Sequence, residues 1–156
     1  MRSTVKNYVR AEVLPLNVIL KQPTVLLKLV DREVYVPICV SHTAAHAIET
    51  AFNRAQPPPR PYPIQLCYEI LTEGGFTFNY AQIYDLQDGI FLGRICLSDP
   101  AGEDRMVFES RASDAITLAI YFDAPIWIHQ NVIEEAGISE ENFLHFDEDD
   151  FKAHYI

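Results

Sequence analysis

The residues most able to do chemistry in this chain fall into two groups. The run Glu109-Ser110-Arg111-Ala112-Ser113-Asp114-Ala115-Ile116 places Glu109, Arg111 and Asp114 where a strand should end and a helix begin. Backbone N–H groups point outward at a helix start, so such a junction can hold an anion or, through its carboxylates, a metal. The same residues also have a plain structural use. Ser113 can cap the helix, and Asp114 in the first turn complements the helix dipole.

The second group is Asp85, Asp88 and Arg94. With a two-residue loop at Asp88-Gly89, Asp85 opposes Leu92, and Arg94 lies diagonally on the same face, within reach of an ion pair. Exposed pairs of this kind are common and weak. Asp88 itself reads as a turn residue. His42, His46, Glu49 and Asn53 form a polar stripe on one helix; His-x-x-x-His spacing can bind a metal, but without a third firm ligand it describes a solvated surface. His129, His145 and His154 stand alone. No glycine-rich phosphate loop, Gly-x-Ser-x-Gly elbow or Cys/His nucleophile pattern occurs.

The elements that must position these residues can be read from periodicity. Ala11 to Leu20, Thr24 to Val30 and Glu33 to Val40 are rich in β-branched and aliphatic residues and predict a meander of three strands. A helix follows from His42 to Ala55, with Ser41 as N-cap and Ala44, Ile48, Ala51, Phe52 and Ala55 on its apolar stripe. The proline run at 57–61 ends it. A second helix carries Pro63 in its first turn, turns Cys67, Ile70 and Leu71 inward, and stops at Gly74-Gly75. Phe76 to Tyr84 and Ile90 to Leu97 form a hairpin about Asp88-Gly89. Arg105 to Glu109 is a further strand, and Ser113 opens a helix that is apolar nearly all round and therefore central. Pro125 to His129 and Asn131 to Ala136 give a last strand and helix. Strands and helices in mixed runs indicate an α+β fold, a single compact domain with a mixed or antiparallel sheet packed against three to four helices.

Composition narrows the classes. The chain has 156 residues, 49% hydrophobic and 22% charged, enough for one domain with a real core. No apolar run is long enough to cross a membrane, and Met1 to Arg10 lacks an apolar signal core, which leads to an expectation of no membrane partner and a cytoplasmic location. Cys39, Cys67 and Cys96 sit in apolar stretches and read as small buried hydrophobes. The net charge of −10 argues against a surface that is basic all over, as nucleic-acid binders often are. Half of that excess comes from Ser139 to Ile156, where six carboxylates face Lys152 alone, so a local basic cleft on the body remains open.

Taken in order, these motifs resemble the bifunctional nuclease domain family. The match rests on Val36-Pro37-Ile38, on Thr43-Ala44-Ala45-His46-Ala47-Ile48-Glu49 and on Arg60-Pro61. It continues through Asp85-Leu86-Gln87-Asp88-Gly89-Ile90-Phe91 with Arg94, Arg111-Ala112-Ser113-Asp114-Ala115-Ile116, Ala124-Pro125-Ile126 and Val132-Ile133-Glu134-Glu135-Ala136-Gly137. The resemblance implies a nuclease-like domain over residues 1–138, with 139–156 an acidic, aromatic tail. It also implies hydrolysis of DNA or RNA and a tendency to form homo-oligomers. One departure stands out: where the family commonly has a His-Asp pair, this chain has Ile64-Gln65.

Two expectations follow. The first is a nuclease of low sequence specificity, with Arg94, Glu109, Arg111 and Asp114 as catalytic residues. Asp85 and Asp114 would then hold a divalent metal, Mg²⁺ or Mn²⁺, with nucleic acid as substrate. The second is a non-catalytic, homo-oligomeric binding module. There Arg111 bridges Glu109 and Asp114, Asp85 pairs with Arg94, and the tail recruits a partner.

Overall fold

The computed structural model describes residues 4–14, 17–19 and 22–144; the last twelve residues, which hold most of the acidic tail, lie outside the described residues. Along the chain run β1 (Thr4–Val5), β2 (Tyr8–Val13), β3 (Asn17–Ile19), β4 (Gln22–Leu29), β5 (Val34–Cys39), α1 (His42–Phe52), α2 (Pro63–Glu73), β6 (Thr77–Gln87) and β7 (Ile90–Ser98). They are followed by β8 (Arg105–Arg111), α3 (Ala112–Phe122), β9 (Ile126–His129), α4 (Gln130–Ala136), β10 (Ile138–Ser139) and α5 (Glu140–Leu144).

The strands form one mixed sheet in the order β10-β5-β4-β2-β9-β6-β7-β8, with β1 on β2 and β3 on β4 beside that path. Among the described strands only β6 and β9 pair in parallel, because the chain returns between them through β7, β8 and α3. The fold is the expected α+β domain. The meander is also present, β2 pairing β4 and β4 pairing β5. The first predicted strand, however, begins earlier, at Tyr8, and gives way to a separate short β3.

The core lies between the sheet and the helices. Val25, Leu27, Leu29 and Val36 from the meander meet Ile48 of α1, Ile83 of β6 and Ile116 of α3, all 0% exposed. Helix α3 is central, as its nearly all-round apolarity requires: seven of its eleven residues are buried. Ser41 caps α1 by accepting a hydrogen bond from Ala44 N at 3.1 Å. Three inward assignments fail: α1 ends at Phe52, so Ala55 lies beyond the helix and is exposed. Phe52, at the last turn of α1, is 47% exposed, and Ile70 on α2 is 61% exposed, so α2 packs through Cys67 and Leu71 instead.

The Asp88-Gly89 turn has positive φ at both residues, +51° and +77°, the mirror-image geometry that matches strand twist. Helix α3 begins at Ala112, and its cap lies two residues before the predicted Ser113. Its N-cap is Arg111, with no side-chain capping bond, because β8 runs straight into the helix. That tight junction passes directly over β7. A Cβ added at Gly93 would lie 2.9 Å from Ala112 Cα, so only glycine lets α3 start there.

Candidate functional site

The register of β2, β9, β6, β7 and β8 builds a polar row across the sheet, on the side turned away from the buried Ile83, Ile95 and Ile128. Arg10 pairs with Trp127, Trp127 with Gln82, Gln82 with Arg94, and Arg94 with Glu109. Within this row the β7–β8 pairing brings two of the expected residues, Arg94 and Glu109, into direct cross-strand contact range.

Arg94 is held on three sides. Its Nε donates to Gln82 Oε1 at 2.6 Å, and an Nη donates to Tyr8 Oη at 3.0 Å. The guanidinium lies 4.4 Å from the centre of the Tyr84 ring, a cation–π stack. Tyr84 in turn donates its hydroxyl to Glu109 Oε2 at 2.6 Å, and this bond raises the Tyr84 pKa above the ordinary phenol value. Tyr8 also meets His129 edge to face, with ring centres 5.0 Å apart.

Asp85 does not join this network. It opposes Leu92, as the hairpin predicts, but a register shift between Ile83 and Asp85 inserts one extra residue, Tyr84. The bulge puts the Tyr84 ring over Arg94, where the diagonal neighbour Asp85 would otherwise reach. Asp85 instead accepts hydrogen bonds from Leu86 N and Gln87 Nε2, both at 2.8 Å. The Gln87 bond first, then Leu86 N, holds its carboxyl below the usual carboxylate range. Among the described residues, the expected Asp85–Arg94 ion pair is absent.

At the β8–α3 junction Arg111 and Asp114 form a forked pair, Nε to Oδ2 at 2.8 Å and Nη to Oδ1 at 3.0 Å. The carboxylate raises the Arg111 pKa further above its ordinary value. Glu109, Ser110 and Arg111 border two clefts. One, of about 570 Å³, opens toward the hairpin turn and Ser41. The other, of about 630 Å³, lies between α1, α2 and β8, and is walled by Ile64, Cys67, Leu71 and Phe108 beside Asp114. Burial, with the Asp114 charge second, pushes the Cys67 thiol up. The Ser110 hydroxyl is enclosed there without a hydrogen-bond partner in the structure.

The sequence grouped Glu109 with Arg111 and Asp114, and Arg94 with Asp85; the structure instead joins Arg94 to Glu109 through Tyr84 and leaves Arg111 with Asp114 in an adjoining pair. Sequence reasoning missed Tyr84, Gln82 and Tyr8. Tyr84 and Gln82 carry a period-2 signal that marks an outward face, but nothing in their spacing announces the bulge. Among the described residues, no three His, Cys, Asp or Glu side chains group to hold a metal ion. Asp85 and Asp114 sit in separate hydrogen-bond networks, and the His46–Glu49 pair is exposed at 3.8 Å.

Comparison with known proteins bears on what this arrangement is. The bifunctional nuclease domain matches residues 25–141, from β4 to the start of α5. The chain belongs to the bifunctional nuclease domain family. The match spans every strand and helix that supplies Arg94, Glu109, Arg111 and Asp114; only Tyr8, at the start of β2, comes from outside it. Similar proteins include one of Mycobacterium tuberculosis, described as uncharacterized, in strains CDC 1551 / Oshkosh and H37Rv. Each is 27% identical over 117 residues, covering 75% of this chain and 68% of the relative. Among the described residues, no helix of this family member is long and apolar enough to cross a membrane.

Proposed function

We propose that this chain is a nuclease of low sequence specificity, acting on DNA or RNA with the Arg94–Tyr84–Glu109 network and the adjoining Arg111 as its working site. The observation that carries this reading is the cross-strand juxtaposition of Arg94 and Glu109, with Tyr84 stacked on the one and bonded to the other. Hydrolysis of a phosphodiester needs a base for the attacking water and cations for the charge that grows on the phosphoryl oxygens. Glu109 suits the first role. Arg94 suits the second, since Gln82 and Tyr8 engage only part of its five-donor fork and fix its direction. Arg111, with a 70% exposed side chain, can reach a phosphate from the edge. Asp114 is then the group that orients Arg111. A divalent cation would be held by the substrate phosphate and at most one of the carboxylates, Asp85 or Asp114.

A specific observation favours a second reading, a non-catalytic binding module. Position 64, where the family commonly carries histidine, faces the cleft beside Arg111 and Asp114, and here it is isoleucine. Gln65 lies elsewhere, by Arg54 and Tyr121.

The two readings separate on labelled single-stranded RNA and DNA, with Mg²⁺, with Mn²⁺ and with a chelator. The nuclease reading expects cleavage that falls by about 10²-fold or more in Glu109→Gln. Arg111→Ala should lose activity while costing no more than ~1 kcal/mol of stability, the worth of an exposed pair. No cleavage under any condition, by a protein that melts cooperatively, leaves the binding module. Cleavage that survives the chelator removes the cation from the mechanism.

A further inference from the structure

The sheet ends differently on its two sides. At one end β10 is two residues long; at the other β8 presents seven residues whose outer edge meets no strand among the described residues. An edge of that length, with no proline, no bulge and no register shift against β7, is a template for another strand. Five of its seven residues are exposed, and Val107 (56% exposed) and Phe108 (48%) point apolar side chains to opposite faces of the sheet. We propose that β8 pairs antiparallel with β8 of a second copy of this chain, about a two-fold axis at Val107, so that one sheet runs through both subunits.

The charges select that register. Outward N–H and C=O groups alternate along a strand, so a two-fold antiparallel pairing must place some residue opposite itself. With the axis at Val107, Arg105 opposes Glu109 of the partner subunit, Met106 opposes Phe108 of the partner subunit, and the two Val107 side chains meet. Every charge on the paired segment then faces its opposite, and this happens twice by symmetry. With the axis at Phe108, Arg105 opposes a second guanidinium at Arg111, and Val107 opposes Glu109. With the axis at Met106, only three strand residues pair, and Asp104 falls opposite Phe108. With the axis at Glu109, the two Glu109 carboxylates meet. An axis at Ser110 opposes Glu109 to Arg111 but pairs only three strand residues. Directly opposed like charges destabilise a sheet, whereas aliphatic, aromatic and opposite-charge pairs stabilise it, so the first arrangement is the longest that is favourable throughout. It also brings Arg105 of the partner subunit beside Glu109, a further cation at the site; that consequence rests on the nuclease reading, but the dimer does not.

Sedimentation equilibrium and disulfide trapping test this directly on the full chain. Wild type should sediment as a dimer. Arg105→Glu should weaken association about tenfold or more, because two attractive pairs become repulsive. The double exchange Arg105→Glu with Glu109→Arg should restore it. Under mild oxidation Val107→Cys should form a covalent dimer, since residues opposed in an antiparallel pair suit disulfide geometry. Met106→Cys, which faces Phe108 instead, should not, and oxidised wild type gives the background from Cys39, Cys67 and Cys96. A wild type that stays monomeric at all concentrations overturns the proposal. So does a dimer that Arg105→Glu leaves intact and Val107→Cys does not trap, which would place the contact on another surface.

Discussion

The two faces of the β6–β7–β8 sheet are made by one alternating sequence and behave as different materials. On the helix side, Ile83, Phe91, Ile95 and Leu97 join a core with Ile116 and Leu118 of α3, and Gly93 lets the start of that helix press against the strand. On the other side, Gln82, Tyr84, Arg94 and Glu109 form a hydrogen-bonded row that is only partly buried. The packed side has little freedom, and the polar side borrows its geometry from that stiffness. Arg94 sits between buried Ile95 and glycine 93, so its backbone cannot shift without disturbing the core. A site built in this way needs few contacts of its own to stay organised.

The sharpest way to break the comparison is to disturb the packed face and watch the polar one. Gly93→Ala adds a methyl group 2.9 Å from Ala112 Cα and 3.1 Å from Ala112 N, against backbone that cannot swing aside. Overpacking of this kind costs roughly 1–3 kcal/mol, or on the order of 2–10 °C in melting temperature for a domain of this size. Because the displaced residues are Arg111 and Ala112, the nuclease reading expects cleavage to fall as well. A variant that melts like wild type would mean that the α3 junction is looser than the close approach implies.

A smaller change addresses the polar face alone. Arg94→Ala removes two hydrogen bonds and a cation–π stack at a half-buried position, worth about 1–2 kcal/mol together. Arg94→Lys keeps the charge but loses the planar fork. If the face does chemistry, Ala should lower cleavage about 10²-fold, with Lys between it and wild type. If the face is structural, melting temperature will track both substitutions and activity per folded molecule will not.

The same contrast explains what was legible in the sequence. The packed face was legible locally: the strands and the central helix came from apolar spacing that burial then enforces, the hairpin turn from the Asp88-Gly89 dipeptide, and the α+β class from the mixed order of the elements. Arg94 and Glu109 were identifiable as residues of interest because charged side chains stood at outward positions of strands. Their partners were not. Tyr84 reaches Arg94 only through a bulge, which inserts a residue without changing the local composition, and Asp85 was therefore expected beside Arg94 where Tyr84 stands. Tyr8 arrives from a strand distant in sequence, whose first residues are too polar to be separated from the N-terminal segment. The displaced start of α3 has a similar cause: capping statistics favour Ser113, but the covalent continuity of β8 and α3 makes Arg111 the N-cap. Local rules read what local residues decide, and tertiary contacts decide the rest.

The smallest effect uses alkali to set burial against the core, at Cys39 of β5, beside hydrogen bonding on the polar face, at Tyr84. Cys39 packs against the core, and burial raises its thiol pKa from the ordinary 9.0 to about 11. Tyr84, on the polar face, is raised first by its hydrogen bond to Glu109 and only second by burial, with the Glu109 charge adding to both. Both groups have a folded-state pKa above the unfolded value, so both contribute stability that is complete below the unfolded pKa and lost as pH rises through the folded one. For Cys39 that window runs from about pH 9 to 11. Melting temperature followed across it should decline less steeply in Cys39→Ala, in which the buried thiol can no longer ionise. Salt should leave that difference untouched, since desolvation is not a screened interaction. Tyr84→Phe should also soften the decline, and there the difference should shrink at high salt, because the Glu109 charge contributes to the shift. Equal salt sensitivity in the two variants would show that the thiol responds to charge and not to burial, and would remove the distinction between a packed face and a polar one at Cys39.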